Sequence, residues 1–362
     1  NQTTEGIDVG LALGFLNGRI NLDLAYYNNR TFNQILSANI PPSSGATTFV
    51  FNTGQTSNKG IEITLNAQAI KQENFRWDIT LNASKNNNWV DKLDGNAQYI
   101  QFASLWDTYG PAIRLTEGDR FGTIYGYIIQ RDAQGRKIVT NDGTRYLVEA
   151  ERTPMGNTSP KWLAGLNNTF QYKNFELRTL VDAKIGGDMF SGTYGYSILT
   201  GQSPMTLKER MGGGLPYTDA NGNTRNIGVV MEGVKENGQI NDEVVHYLWK
   251  YMGNMGVGWG DWSLPDGRRF KFNDESVIFE NTWVKMREIS LAYHLPKTIT
   301  NRIKVIQGLT AYLTARDLFY IYKTAPDNIN PEGTNGAGNA DGFEWGSLPG
   351  MRSFALGLRF NF

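Results

Sequence analysis

The sequence predicts an all-β fold in which about nine antiparallel strands form part of a transmembrane barrel, and three observations lead there. Apolar and small polar residues alternate with period two in segment after segment, which puts one apolar face on each extended strand. Brief polar turns alternate with long segments rich in Gly, Asn and aromatic residues, the asymmetry of a barrel with short turns on one side of a membrane and long loops on the other. The residues opposite the apolar face are mainly Gly, Asn, Thr, Ser, Asp and Ala, with scattered Arg and Glu. A sheet face open to bulk water would instead be rich in Lys and Glu.

The first hairpin places Ile7, Val9, Leu11, Leu13 and Phe15 on one face, turns at Asn17-Gly18, and returns through Ile20, Leu22, Leu24 and Tyr26. Asn-Gly suits such a turn because both residues tolerate positive φ. A second hairpin runs through Ile61, Ile63, Leu65, Ala67 and Ala69, turns over 71–74, and returns through Trp77, Ile79, Leu81 and Ala83. A third covers Trp162 to Phe170, turns at 172–174, and returns through Phe175, Leu177, Thr179, Val181 and Ala183. Later strands carry Ile289, Leu291, Tyr293 and Leu295, then Leu309, Ala311, Leu313 and Ala315, and finally Phe354, Leu356, Leu358, Phe360 and Phe362. Aromatic residues gather near strand ends, where a barrel places its interfacial girdles.

Between these lie segments 36–57, 86–161, 185–280 and 320–352, far longer than the roughly 4–6 residues usual between elements of a compact soluble domain. The strand count is odd and the first strand starts on the long-loop side, whereas single-chain bacterial barrels have even counts with both ends on the short-turn side. The expectation is that residues 1–362 are the C-terminal portion of a barrel whose earlier strands are missing from this chain.

Composition removes several classes of function. Lys plus Arg and Asp plus Glu both total 35, which leaves no net field to draw nucleic acid. With no Cys, disulfides, thiolate metal sites and a Cys nucleophile are excluded. No apolar run approaches the roughly 18 residues of a membrane helix, and residues 1–6 lack a charged start followed by an apolar core. His246 and His294 are the only histidines, so a His-based triad or metal cluster would have to use one of them; His294 falls on the lumen side of a predicted strand. Asp219 to Arg225 superficially resembles a calcium loop, but Thr224 stands where the glycine belongs and Val230 where the closing Glu belongs, which leaves an Asn-Gly turn. The Gly-rich stretches 211–215 and 256–260 lack the context of phosphate binders and read as flexible loop. No residue is assigned a catalytic or metal-binding role, and no cofactor is expected. Trp106, Trp249, Trp259, Trp262 and Trp345 all fall in the long segments, where indole faces could stack on a substrate such as a sugar; packing within the loops is the competing explanation.

The C-terminal third is more specific. Asn281 to Pro296 (NTWVKMREISLAYHLP), Ala311 to Phe319 (AYLTARDLF), Asp327 to Glu332 (DNINPE) and Leu348 to Phe362 resemble consecutive segments of SusC/RagA-type TonB-dependent transporters. Ser57 to Ile63 (SNKGIEI) and Glu117 to Tyr127 (EGDRFGTIYGY) are similar to earlier ones. The resemblance implies a plugged outer-membrane barrel of about 22 strands, capped by a SusD-like surface lipoprotein, that imports a glycan or peptide with energy delivered through TonB. This chain would supply the last strands; the plug, the N-terminal domains and the TonB box have no counterpart in it. The resemblance also makes Leu358, Phe360 and Phe362 a C-terminal signal for the barrel-assembly machinery, with outer-membrane lipid as the remaining partner. Read from residues alone, two alternatives stand: a surface or adhesive barrel that transports nothing, and a secreted β-sandwich lectin, whose apolar strand faces would meet across a dry core.

Overall fold

The computed structural model describes the chain apart from residues 40–44, 46–47, 53, 94–97, 105–109, 251–273, 301–306, 327, 335–341 and 362. Nine strands form one sheet: β1 (Thr3–Phe15), β2 (Ile20–Phe32), β3 (Gln55–Lys71), β4 (Phe75–Lys92), β5 (Trp162–Tyr172), β6 (Phe175–Ile185), β7 (Trp283–His294), β8 (Gly308–Lys323) and β9 (Ser353–Asn361). They are ordered as in the chain and every neighbouring pair is antiparallel. All nine segments that alternate in the sequence are therefore strands. Among the described residues the sheet does not close on itself; β1 and β9 are its two edges.

The tight turns use left-handed backbone, which suits Asn17 and Gly18 and is uncommon for Leu16 and Lys173. Leu16 and Asn17 take φ of 53° and 54° and Gly18 81° between β1 and β2, and Lys173 takes 51° between β5 and β6. The connection from β7 to β8 departs from the short-turn pattern, since it carries a helical turn at Lys297–Thr300.

Cross-strand register gathers the apolar residues into rows. One row runs Leu13, Leu22, Leu65, Leu81, Leu166, Val181, Met286 and Phe319; another runs Trp77, Phe170, Leu177, Leu291, Leu313 and Leu356. These rows do not meet a second sheet: Leu291 is 47% exposed, Leu313 51% and Leu356 84%. A sandwich core would bury them, so the secreted-sandwich alternative falls. Even the polar Asn168 on this face is provided for, since Trp77 Nε1 donates to its Oδ1 at 3.2 Å.

The opposite face is small and polar. Thr64 and Asn82 are hydrogen-bonded across β3 and β4, as are Thr80 and Asn66. Two glycines on it lie under tyrosine rings. A Cβ on Gly60 would fall 2.2 Å from the ring of Tyr27, and one on Gly357 2.4 Å from that of Tyr312, so both positions require the missing side chain.

The buried apolar clusters belong to the long-loop side. Ile113, Ile124, Phe190, Val277 and Phe343 form one; Ile129, Val139, Tyr146, Val229, Met231 and Val245 form another. The long segments hold their own sheets, including a four-stranded one made of Thr153–Asn157, Thr123–Gly126, Ala112–Thr116 and Tyr99–Ser104. Their length is thus explained by folded structure. The stretch 211–215, read from sequence as flexible, is the end of a helical turn at Glu209–Gly213 followed by the strand Leu215–Thr218.

Candidate functional site

Five charged side chains converge on the polar face where β6, β7 and β8 meet. The alternation of β7 is broken by register shifts against both neighbours, between Leu180 and Val181 on β6 and between Met286 and Glu288 on β7. Such bulges re-aim side chains, and here Arg287 and its neighbour Glu288 both turn to the polar face. Asp317, opposite the bulge, takes φ of 54°. Arg287 donates to Asp182 at 2.7 Å, to Asp317 at 2.7 Å and to Glu332 at 2.5 Å. Lys285, only 5% exposed, reaches Asp317 at 2.8 Å and Glu332 at 2.5 Å, and the Tyr320 hydroxyl donates to Glu332 at 3.0 Å. Burial pushes the Glu332 carboxyl up, but the Arg287 guanidinium and the Lys285 ammonium outweigh it and hold the carboxyl below its ordinary range. Two cations thus serve three carboxylates, and Glu332 ties the loop after β8 to the wall.

Two cavities flank this network. One of about 550 Å³ lies along the wall and is lined by Glu62, Thr64, Asn82, Ser84, Asp182 and Trp283, among others. The second, of about 390 Å³, is lined by Thr193, Asp317, Lys323, Asn328, Asn330 and Ser347, among others. Glu344 on its wall is fully buried and accepts from the hydroxyls of Ser191, Thr193 and Ser347. Both cavities mix apolar and polar lining, Ile63, Ala83 and Leu163 in the first beside its carboxylates and amides, so hydroxyls, amides and fixed carboxylates can hydrogen-bond a hydrated, multifunctional solute while apolar patches contact its carbon skeleton. Among the described residues no group of His, Asp and Glu is arranged to hold a metal ion.

The residues singled out from sequence fall elsewhere. Trp345 packs edge-on against Tyr196, with centroids 6.0 Å apart, and over Gly192. Trp249 packs against the cluster containing Val139 and Tyr146, with the Arg145 guanidinium 5.3 Å from its ring centroid. Both are engaged within the loops. Trp106, Trp259 and Trp262 lie outside the described residues. Leu358 and Phe360 stand on the apolar face of β9, 59% and 43% exposed; Phe362 lies outside the described residues. His294 sits on the polar face as expected, with Nδ1 3.0 Å from the Thr310 hydroxyl and Nε2 3.5 Å from Glu176. His246 accepts from the Leu248 N–H at 3.2 Å, and burial, then the Arg225 guanidinium, lowers its pKa. Asp219 closes a turn by accepting from the N–H groups of Asn221 and Asn223. The charged network was missed because its members are far apart in sequence. The available hint was that Lys285, Arg287, Asp317 and Glu332 sit inside three of the family-like segments.

One buried acid in the loops makes a test of the packing. Asp274 is 1% exposed and accepts from the Tyr127 N–H at 2.9 Å. Burial raises its pKa to about 8, whereas the unfolded chain ionises it near about 3.9. Between those values the folded form holds a proton that the unfolded form has lost, so stability is greatest below the lower value and falls as pH rises toward the upper one. Asp274→Asn keeps the acceptor and removes the titration. Protection of the Tyr127 amide from hydrogen exchange, corrected for the intrinsic rate, is expected to fall from pH 5 to pH 8 in the native chain and to stay level in the variant. Equal pH dependence in both would refute the assignment.

Residues 1–222 match the family model "TonB dependent receptor-like, beta-barrel". TonB-dependent receptor P3 of Formosa agariphila is 23% identical over 384 residues, covering 100% of this chain and 34% of that protein. TonB-dependent receptor SusC of Bacteroides thetaiotaomicron is 26% identical over 199 residues, covering 52% of this chain and 20% of that one. The chain thus spans about a third of the length of the first of these relatives. Among solved structures, the RagAB peptide importer in its closed-closed state superposes with a TM-score of 0.67 at 17% identity, over 100% of this chain and 35% of that one, a likeness of fold.

Proposed function

The chain belongs to the TonB dependent receptor-like β-barrel family, whose members are outer-membrane barrels, and from that premise we propose that it forms the C-terminal wall of an active importer of a large nutrient, an oligosaccharide or a peptide. The observation that carries this reading is the polar face itself, where two cavities of about 550 and 390 Å³ flank a fixed charge network. A barrel that only displayed loops would need neither. A SusD-like surface lipoprotein caps the long-loop side in this reading, and TonB supplies energy through the plug and N-terminal regions of the full-length protein. The relation to SusC and the fold shared with the RagAB peptide importer support these partners. The chain is not an enzyme in this reading.

Cells lacking the gene, and cells with the gene but inactive TonB, are expected to lose uptake of labelled oligosaccharide or labelled peptide, and a lipoprotein is expected to co-purify with the full-length protein. Unchanged uptake in both strains, together with loss of surface attachment, would replace the importer with an adhesive barrel.

The same reading gives β9 an assembly role. Phe360→Asp puts a charge on the apolar face at the end of the last strand, so the amount of folded protein in the outer membrane, read by heat-modified gel mobility, is expected to drop several-fold. Asn361→Asp, at the opposite parity, is expected to leave it near the native level.

A further inference from the structure

The apolar face of β3 and β4 changes character within two rows. Leu65 lies opposite Leu81 and Ile63 opposite Ala83; one row nearer the long loops Ile61 lies opposite Lys85, and in the next Lys59 lies opposite Asn87. The rows continue on β2 as Tyr26 and Asn28. Lys85 Nζ stands 5.8 Å from the ring centroid of Trp162, and Trp89, at the same parity, is 41% exposed. Lys59 is exposed and Lys85 half-buried, and neither ammonium has an ion-pair partner among the described residues. The carboxylates on this face stand nearer the long loops: Glu5 lies opposite Arg30 in the row above Lys59, and Asp91, beyond Trp89 on β4, accepts from the Ser57 hydroxyl at 2.9 Å.

Height along the barrel locates these lysines. From Tyr172 at the short-turn end of β5 to Trp162 at its long-loop end, about ten steps of a tilted strand span about 25 Å, the height of the apolar belt. Trp162 therefore marks the upper edge of the belt and Lys85 lies beside it. A lysine that faces lipid at this depth extends its ammonium to the headgroup region, where the complementary charge is phosphate.

We propose that Lys59 and Lys85, flanked by Tyr26 and Trp162, form a site on the outside of the barrel for the phosphate of an anionic lipid in the adjoining leaflet. The site rests on the reading of this face as membrane-facing. Its aromatic neighbours hold the acyl boundary while the two ammonium groups and the Asn28 and Asn87 amides supply donors to the phosphate oxygens.

Native mass spectrometry of the full-length protein, released from micelles holding equal amounts of phosphatidic acid and phosphatidylcholine, tests the site. The native protein is expected to retain phosphatidic acid about fivefold to tenfold over phosphatidylcholine. Lys59→Gln with Lys85→Gln is expected to lose most of that preference while keeping bound phosphatidylcholine and native gel mobility, and Lys59→Arg with Lys85→Arg to keep the preference. Absence of preference in the native protein, or its persistence in the glutamine variant, overturns the proposal. Displacement of phosphatidic acid by millimolar inorganic phosphate overturns the lipid in favour of free phosphate. A native protein that retains neither lipid overturns the membrane-facing reading as well.

Discussion

Arginine in place of Leu65 is expected to cost the barrel about 2–4 kcal/mol, and arginine in place of Thr64, one residue away, about 1 kcal/mol or less. Leu65 belongs to the row that runs from Leu13 to Phe319, midway between the Lys59 row and the Trp77 row on the face that meets hydrocarbon. A guanidinium there must be dragged to an interface or solvated by a local defect in the bilayer. Thr64 points the other way, into the cavity with Glu62 and Asn82, where an added cation meets water and a carboxylate. Urea titration of the full-length protein refolded into lipid vesicles measures both. Equal costs for the two variants would mean that both faces see the same medium, and the membrane barrel would have to be abandoned.

This contrast rests on parity, which is the part of the fold that was legible beforehand. Alternation such as Ile61, Ile63 and Leu65 against Glu62 and Thr64 specifies a face without any knowledge of neighbours, and all nine strands followed from it. Tight turns were legible for a similar local reason, since Asn17-Gly18 accepts a backbone that few dipeptides do. What was not legible is whatever depends on distant partners. The bulge at Arg287 interrupts an otherwise ordinary strand pattern, and nothing near Asp182 in the sequence announces an arginine that arrives more than a hundred residues later. The loops are harder to read for another reason. Trp249 and Trp345 stand in long polar segments that fold on themselves; each indole packs against loop residues on one side, and Trp345 stays 39% exposed. Aromatic content alone does not distinguish a binding platform from a small core.

The network itself predicts an inequality between its members. Arg287→Ala is expected to destabilise the barrel by about 3 kcal/mol, because it strands Asp182 and leaves Asp317 and Glu332 to share Lys285 in a partly buried setting. Glu332→Gln is expected to cost only about 1 kcal/mol. Three carboxylates face two cations, so losing one carboxylate leaves two of each sign, and the amide oxygen still accepts from Arg287. The second effect is local. Glu332 is the network's only member on the loop after β8, and its removal is expected to raise hydrogen exchange at 328–332 while leaving β6 to β8 protected. Arg287→Ala should loosen both. A double-mutant cycle of Arg287→Ala with Asp182→Asn isolates the strand-to-strand term, which should reach about 1–2 kcal/mol of coupling. If the two single variants cost the same, or if the loop stays protected without Glu332, the five charges are independent surface pairs and do not clamp the wall between the two cavities.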